Sequence, residues 1–144
     1  MCGMVRLTLV IIALPCLGSL AAEVATGQPP AASFDAVKGR ALYATYCASC
    51  HAENGEGRPG TFPPLKGSGM VMKADATGQI RAVLNGLPGG RAGGVLYANP
   101  MPAFGGVLND VDIASIIDYE RSSWGNHGRL VNAAQVAAER DHSK

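Results

Sequence analysis

The feature that most constrains this chain is the segment Cys47-Ala48-Ser49-Cys50-His51, where two thiols lie three positions apart and a histidine follows the second. On one helical turn, two thiols at this spacing can reach the two vinyl groups of a single porphyrin. The histidine then lies beneath the iron. The segment therefore predicts one covalently bound haem c, attached through Cys47 and Cys50, with His51 as an axial ligand.

Three other interpretations of the two cysteines are weaker. A redox-active pair needs no following histidine and favours a βαβ setting, for which the sequence gives no pattern. A zinc site needs further ligands at suitable spacing, and only His127 and His142 remain, both near the end of the chain. A disulfide that spans only two intervening residues is rare and strained.

Residues 1–22 are typical of a secretory signal peptide. Arg6 gives a positive start, residues 7–14 form a short apolar stretch that Pro15 interrupts, and small residues for cleavage follow. The apolar stretch is too short for a membrane span. Membrane association is therefore expected only if this segment is retained or is lipidated at Cys16, and Pro15 is unfavourable just before a lipidated cysteine.

Removal of the signal segment changes the cysteine count and the charge. Cys2 and Cys16 leave with it, so no disulfide framework remains. The chain has 12 Lys and Arg against 11 Asp and Glu, and the loss of Arg6 balances the two. Neither a basic surface for nucleic acid nor a strong steering charge toward a partner is expected. The 19 glycines and 9 prolines leave little apolar core, which a bound cofactor would supplement.

The remaining sequence predicts helices and loops but no strand. After a flexible leader at 23–33 comes a domain at 34–126, followed by a tail at 127–144. The helical spacing of apolar residues, together with capping residues, predicts four helices. These lie at about 34–46 (capped by Ser33), 77–86, 110–123 (capped by Asn109) and, within the tail, 133–140. Residues 86–106 are expected to form a long glycine-rich loop, and such loops are usually functional.

Four motifs are spaced along the domain: Gly39-x3-Tyr43-x3-Cys47-Ala48-Ser49-Cys50-His51, Phe62-Pro63-Pro64-Leu65, Met101-Pro102-Ala103-Phe104 and Ile117-x-Tyr119-x4-Trp124-Gly125-Asn126. Together they resemble the class I cytochrome c family, and more closely the cytochrome c domains that serve bacterial periplasmic dehydrogenases. The resemblance implies a small all-α cytochrome c fold, with three to five helices wrapped round one haem. It also implies that Gly39 lets the first and last helices of the domain cross closely.

The resemblance also assigns roles to residues around the iron. It implies Met101 as the sixth ligand, and prolines on both sides would stiffen that loop. Pro63 or Pro64 would accept a hydrogen bond from the second ring nitrogen of His51. The alternatives for the sixth ligand are Met70, Met72, His127 and His142. Tyr97 and Trp124 are candidates for contact with the haem, although each can equally be a core aromatic residue.

These observations lead to a functional hypothesis. The chain is expected to be a periplasmic monohaem protein that transfers single electrons between redox proteins and is not itself an enzyme. Its partners would be a quinone- or flavin-dependent dehydrogenase and a terminal oxidase. The chain would act either as a free carrier or as a subunit of the dehydrogenase complex. A haem-based sensor or a peroxidase-like protein is the alternative, and it requires an iron that Met101 leaves open.

Overall fold

Six helices and one small hairpin make up residues 35–142, which are the residues that the computed structural model describes. The predicted signal segment at 1–22, the leader at 23–33 and Phe34, the first residue of the predicted first helix, lie outside them. The elements are α1 Ala36–Tyr46, α2 Ala48–His51, α3 Gly69–Met72, α4 Thr77–Asn85, β1 Gly90–Ala92, β2 Val95–Tyr97, α5 Asp110–Ser122 and α6 Ala133–His142. The helices exceed the expected three to five because α2 and α3 are single turns. The expected helical architecture is confirmed, with one small hairpin added to it.

The crossing of α1 and α5 organises the domain. A Cβ atom built on Gly39 would lie 2.3 Å from the backbone oxygen of Ser115 and 2.9 Å from the Cβ of Tyr119. No larger residue fits at this position, and the close crossing that the family resemblance implied is confirmed. Gly39 and Tyr43 form the buried face of α1, whereas Val37 is 82% exposed although it has the helical spacing of an apolar face.

Polar side chains fix the starts of the two crossing helices. Asp35 caps α1, since its carboxylate accepts a hydrogen bond from the Lys38 backbone N–H at 2.9 Å. The predicted helix began earlier, with Ser33 as its cap, and that assignment is corrected. Asn109 caps α5 as predicted, because its side chain accepts from the Asp112 N–H at 2.9 Å.

The glycine-rich segment at 86–106 contains a hairpin, so the prediction of no strand is wrong. Strands β1 and β2 pair antiparallel, with Arg91 opposite Leu96. Gly93 and Gly94 connect them with φ values of 56° and 84°, the left-handed conformation that a tight two-residue turn requires. Beyond the hairpin, the backbones of Leu87 and Met101 exchange hydrogen bonds of 3.0 and 2.8 Å, which closes the base of the loop.

The core lies where α1, α4, α5 and α6 meet. Ile80, Val83 and Leu84 form the buried face of α4, as their spacing predicts. The α5 face was predicted with less accuracy, because Val111 is half exposed. Helix α6 is held against the other helices by Arg140, which bonds the Asp110 carboxylate at 2.7 Å and the Leu108 carbonyl at 2.9 Å. Among residues 35–142, none of the helices is long and apolar enough to cross a membrane.

Candidate functional site

A cleft of about 320 Å³ opens between the end of α1, the segment after α2, helix α4 and the glycine-rich loop. Most of its lining side chains are apolar. Cys47, Cys50 and His51 line this cleft, and so does Met101 from the loop that follows the hairpin. The fold therefore brings together the two motifs that the sequence places fifty residues apart.

The attachment motif is held in helical geometry by its own backbone. Cys47 is the C-cap of α1, and its N–H donates to the Tyr43 carbonyl at 2.9 Å. The His51 N–H donates in turn to the Cys47 carbonyl at 2.9 Å. Both thiols are free, and burial raises the pKa of the Cys47 thiol. Ala52 then takes a φ of 62°, which turns the chain away from the cleft directly after the histidine.

The ring of His51 is oriented by a backbone carbonyl. Its Nδ1 lies 2.9 Å from the carbonyl oxygen of Pro63. Because a carbonyl only accepts, Nδ1 must carry the proton. Burial lowers the pKa of His51, which favours the neutral ring. A neutral ring with a proton on Nδ1 leaves the lone pair of Nε2 free for a metal ion.

Gly57 supports the carbonyl that His51 uses. It has a φ of 66°, and a Cβ atom there would lie 2.5 Å from the backbone oxygen of Phe62 and 2.6 Å from that of Pro63. The chain can therefore pass behind Pro63 only if residue 57 has no side chain. Of the two prolines that the resemblance named, Pro63 supplies the carbonyl, and Pro64 lines the cleft beside it.

The Met101 backbone is fixed by its two hydrogen bonds to Leu87, and its side chain is half-buried in the cleft. Prolines 100 and 102 restrict the chain on both sides. Met70 of α3 also lines the cleft but is 46% exposed. The other rivals for the sixth position, Met72, His127 and His142, are not among the lining residues.

The two aromatic candidates lie in different places. Tyr97, at the end of β2, is buried and lines the cleft. Trp124 is not among the lining residues. Its ring packs against Tyr43 and Tyr119 with centroid distances of 5.1 and 5.4 Å, and Gly55 leaves room for it on another side. The structure therefore places Trp124 in an aromatic cluster beside the helix crossing.

Two polar residues in the cleft wall were missed as site residues by the sequence interpretation. Glu120 and Gln79 both line the cleft, and both are almost completely buried. Their side chains meet through a hydrogen bond of 2.7 Å. The only signal in the sequence was that Glu120 falls on the same face of α5 as Ile113, Ile116 and Ile117, which indicates burial of a carboxyl group.

The donor set of this cleft fits a haem. It offers two free thiols one turn apart, a neutral histidine with an oriented ring, a thioether on a stiff loop and an apolar lining. Among residues 35–142, no cluster of three or more His, Cys, Asp and Glu side chains is placed to hold a metal ion by itself. His51 and Met101 together offer two donor atoms, which suits an iron whose remaining ligands come from a porphyrin.

Comparison with known proteins agrees with this geometry. The sequence profile described as Cytochrome c matches residues 36–124. The gluconate 2-dehydrogenase cytochrome c subunit of Pantoea cypripedii is 36% identical over 110 residues, covering 74% of this chain and 24% of that protein. Cytochrome c-552 of Thermus thermophilus is 34% identical over 105 residues, covering 70% and 79%.

A third relative extends the pattern. The cytochrome c subunit of alcohol dehydrogenase (quinone) from Komagataeibacter europaeus is 32% identical over 106 residues, covering 73% of this chain and 23% of that protein. The chain thus spans about a quarter of the length of the two dehydrogenase subunits and about four fifths of cytochrome c-552.

Proposed function

This chain belongs to the cytochrome c family and is an electron-transfer protein with one covalently bound haem c, and we propose that it carries electrons away from a periplasmic dehydrogenase. The observation that carries the proposal is the convergence of Cys47, Cys50, His51 and Met101 on one apolar cleft. When bound there, haem supplies a ferric/ferrous couple that takes up or releases one electron.

Four residues of the cleft would hold the cofactor. Cys47 and Cys50 would hold the haem through thioether bonds, and His51 and Met101 would bind its iron. With Met101 bound as well as His51, the iron would have no open site for an outside ligand. A methionine opposite a histidine also raises the reduction potential.

Groups that contact the ligands but not the iron then adjust the reduction potential. The Pro63 carbonyl accepts a hydrogen bond from the Nδ1–H of His51, which makes the other ring nitrogen a stronger donor toward the iron. The mostly apolar wall would keep water away from a bound iron, so charges inside the cleft would interact strongly. Pro64 and Tyr97 complete this wall on the side of the glycine-rich loop.

The partners are inferred from the relatives. Two of them are named as cytochrome c subunits of dehydrogenases, one acting on gluconate and one described as quinone-dependent. We infer that the electron donor is a quinone- or flavin-dependent dehydrogenase and that a terminal oxidase is the final acceptor. The signal-like segment at 1–22 supports a periplasmic location.

Two measurements test the basic assignment. Expression with haem-attachment machinery should give a protein that keeps its haem in a denaturing gel, and the Cys47→Ala, Cys50→Ala double variant should lose it. The reduced protein should not bind carbon monoxide at neutral pH. Ready binding of carbon monoxide would mean an open iron and would favour the sensor or peroxidase-like alternative.

The partner is tested in the source bacterium. Deleting the gene should slow oxygen uptake driven by the dehydrogenase substrate, and the wild-type gene should restore the rate. The His51→Ala variant, which removes the proximal ligand, should not restore it. Unchanged uptake with every sugar and alcohol tried would contradict the dehydrogenase assignment while leaving the haem assignment intact.

A further inference from the structure

A carboxyl group lies in the wall of the haem cleft and is not used by the proposed mechanism. Glu120 is 4% exposed and lines the cleft together with Cys47 and Val83. It lies on the same face of α5 as Ile116 and Ile117, both fully buried. A charged carboxylate in such surroundings is expensive unless something compensates it.

The partner of Glu120 is a neutral amide. Gln79 donates from Nε2 to the Glu120 Oε2 at 2.7 Å, while its Oε1 accepts from the Arg121 Nη1 at 2.9 Å. Since a guanidinium only donates, this contact fixes which end of the amide faces Glu120. None of the four ion pairs among residues 35–142 includes Glu120. The guanidinium of Arg121 is instead directed at backbone carbonyls of Lys73 and Arg129.

At pH values above the pKa of Asp118, which burial raises to about 6, the other titratable groups around Glu120 keep a fixed charge in the holoprotein. From α1, the Tyr43 hydroxyl donates to the Ala52 carbonyl at 2.6 Å, and burial raises its pKa, so it stays neutral. Cys47 becomes a thioether. On α5, Arg121 stays protonated, and the Asp118 carboxylate turns to the Val131 N–H at 2.7 Å. Burial raises the pKa of Glu120 to about 8, so this group changes charge near neutral pH.

We propose that Glu120 takes up a proton when the iron is reduced and releases it when the iron is oxidised. This rests on the proposed haem site, because the cleft that Glu120 lines is the one that holds the iron. On reduction, one electron comes from the donor protein and one proton comes from solvent. On oxidation, the electron goes to the acceptor protein and the proton returns to solvent.

The coupling follows from electrostatics in a mostly apolar cleft. The ferric iron carries one more positive charge than the ferrous iron, so it favours the ionised carboxylate. The effect of the iron's oxidation state on the proton affinity of Glu120 must equal the effect of Glu120 protonation on the electron affinity of the iron. The reduction potential should therefore fall with rising pH between the pKa values of Glu120 in the two oxidation states, and stay flat outside them. Each tenfold difference between the two proton affinities lowers the potential by 59 mV.

The test is a potentiometric titration of the purified holoprotein from about pH 5 to about pH 10, a range that brackets the pKa of Glu120. The wild type should show the sloping region. Glu120→Gln keeps the size of the side chain and an oxygen that can accept from Gln79, and it should give a flat line near the low-pH potential of the wild type. A flat wild-type curve, or a slope that survives in Glu120→Gln, overturns the proposal, and the second result assigns the proton to a haem propionate.

Asp118→Asn is the matched control. It removes another buried carboxyl of α5, one that is not among the residues lining the cleft, and its Oδ1 can still accept from Val131. The reduction potential of Asp118→Asn should change with pH in the same way as that of the wild type. Equal flattening in Asp118→Asn would mean that the slope comes from the general charge of α5 and would overturn the specific role of Glu120.

A second readout needs no variant. The infrared difference spectrum between reduced and oxidised protein, recorded within the sloping region, should show a protonated carboxyl C=O stretch that appears on reduction. That band should be missing from Glu120→Gln, and its absence from the wild type would contradict the proposal. Loss of covalent haem would instead contradict the proposed function, so the two failures can be told apart.

Discussion

The Nδ1 atom of His51 lies 2.9 Å from the carbonyl oxygen of Pro63, and Gly57 packs directly behind that carbonyl. The proposed ligand His51, the carbonyl that orients it and the glycine that makes room for this carbonyl therefore form one chain of contacts. A substitution at Gly57 should consequently change the reduction potential of the iron, although this residue has no side chain.

Gly57→Ala tests this relationship, with Gly60→Ala as its control. Both glycines have a left-handed φ, which costs a larger residue about 1–2 kcal/mol. Only at Gly57 would the new Cβ also overlap backbone oxygens, whereas none of the surrounding atoms lies within 4 Å of a Cβ at Gly60. Gly57→Ala should lose clearly more stability in urea, and it should raise the reduction potential because His51 becomes a weaker donor. Equal potentials in the two variants would contradict this link.

Met101→Ala and Met70→Ala distinguish the two thioethers of the cleft. The ferric holoprotein should show the weak near-infrared band that arises from charge transfer between methionine sulfur and iron. Met101→Ala should abolish this band and lower the reduction potential, since methionine ligation raises it. Met70→Ala should keep the near-infrared band and the wild-type reduction potential, because Met70 is half exposed and lies on a single helical turn. The reverse result would make Met70 the ligand.

Gly39→Ala should destabilise the domain although alanine is the better helix former. The new Cβ would lie 2.3 Å from the Ser115 carbonyl oxygen, and overpacking of this kind costs about 1–3 kcal/mol or more. Gly78→Ala is the control, since it lies in α4 with open space around its Cβ position and should gain up to about 1 kcal/mol. Urea denaturation measures both, and a stabilised Gly39→Ala would mean that the helices can separate without cost.

The stability of the protein, kept in one oxidation state, should depend on pH through Glu120. Its pKa is about 8 in the folded state against 4.5 ordinarily, so the folded state holds the extra proton between these values. The stabilisation is complete below about pH 4.5, declines as pH rises and is lost above about pH 8. From about pH 5 to about pH 8 the wild type should lose up to about 4 kcal/mol, at 1.36 kcal/mol per pH unit.

The same denaturation series on Glu120→Gln isolates this contribution. Its side chain carries no charge at either pH, so its stability should change less than that of the wild type over the same range. Asp118 contributes in the same direction at lower pH, because burial raises its pKa to about 6. Parallel curves for wild type and Glu120→Gln would show that Glu120 binds its proton equally in the folded and the unfolded chain over this range, which contradicts the raised pKa.

The parts of this fold that local sequence determines were predicted well. The attachment motif spans five residues, and Asn109 and Gly86 bound their helices through contacts within one turn. The hairpin was missed because its strands have three residues each, too few to show alternation, although Gly93-Gly94 was a recognisable turn signal.

Residues whose position depends on distant contacts were harder to predict. Periodicity places Glu120 on a buried face but does not say that this face borders a cleft, which depends on how α4 and α1 pack. The same limit applies to Trp124, whose polar indole suggested the haem edge, while the packing of Tyr43 and Tyr119 places it beside the helix crossing. Helical spacing also grouped Val37 with buried residues, because it does not indicate which part of α1 the α5 helix covers.

The burial of Cys47 has a consequence for how the protein is made. Its side chain is 8% exposed in the folded domain, and burial keeps its thiol protonated and therefore unreactive. We therefore expect haem attachment to be faster before α5 packs against α1 than after it. The time available for the attaching enzymes would then depend on how fast α1 and α5 come together.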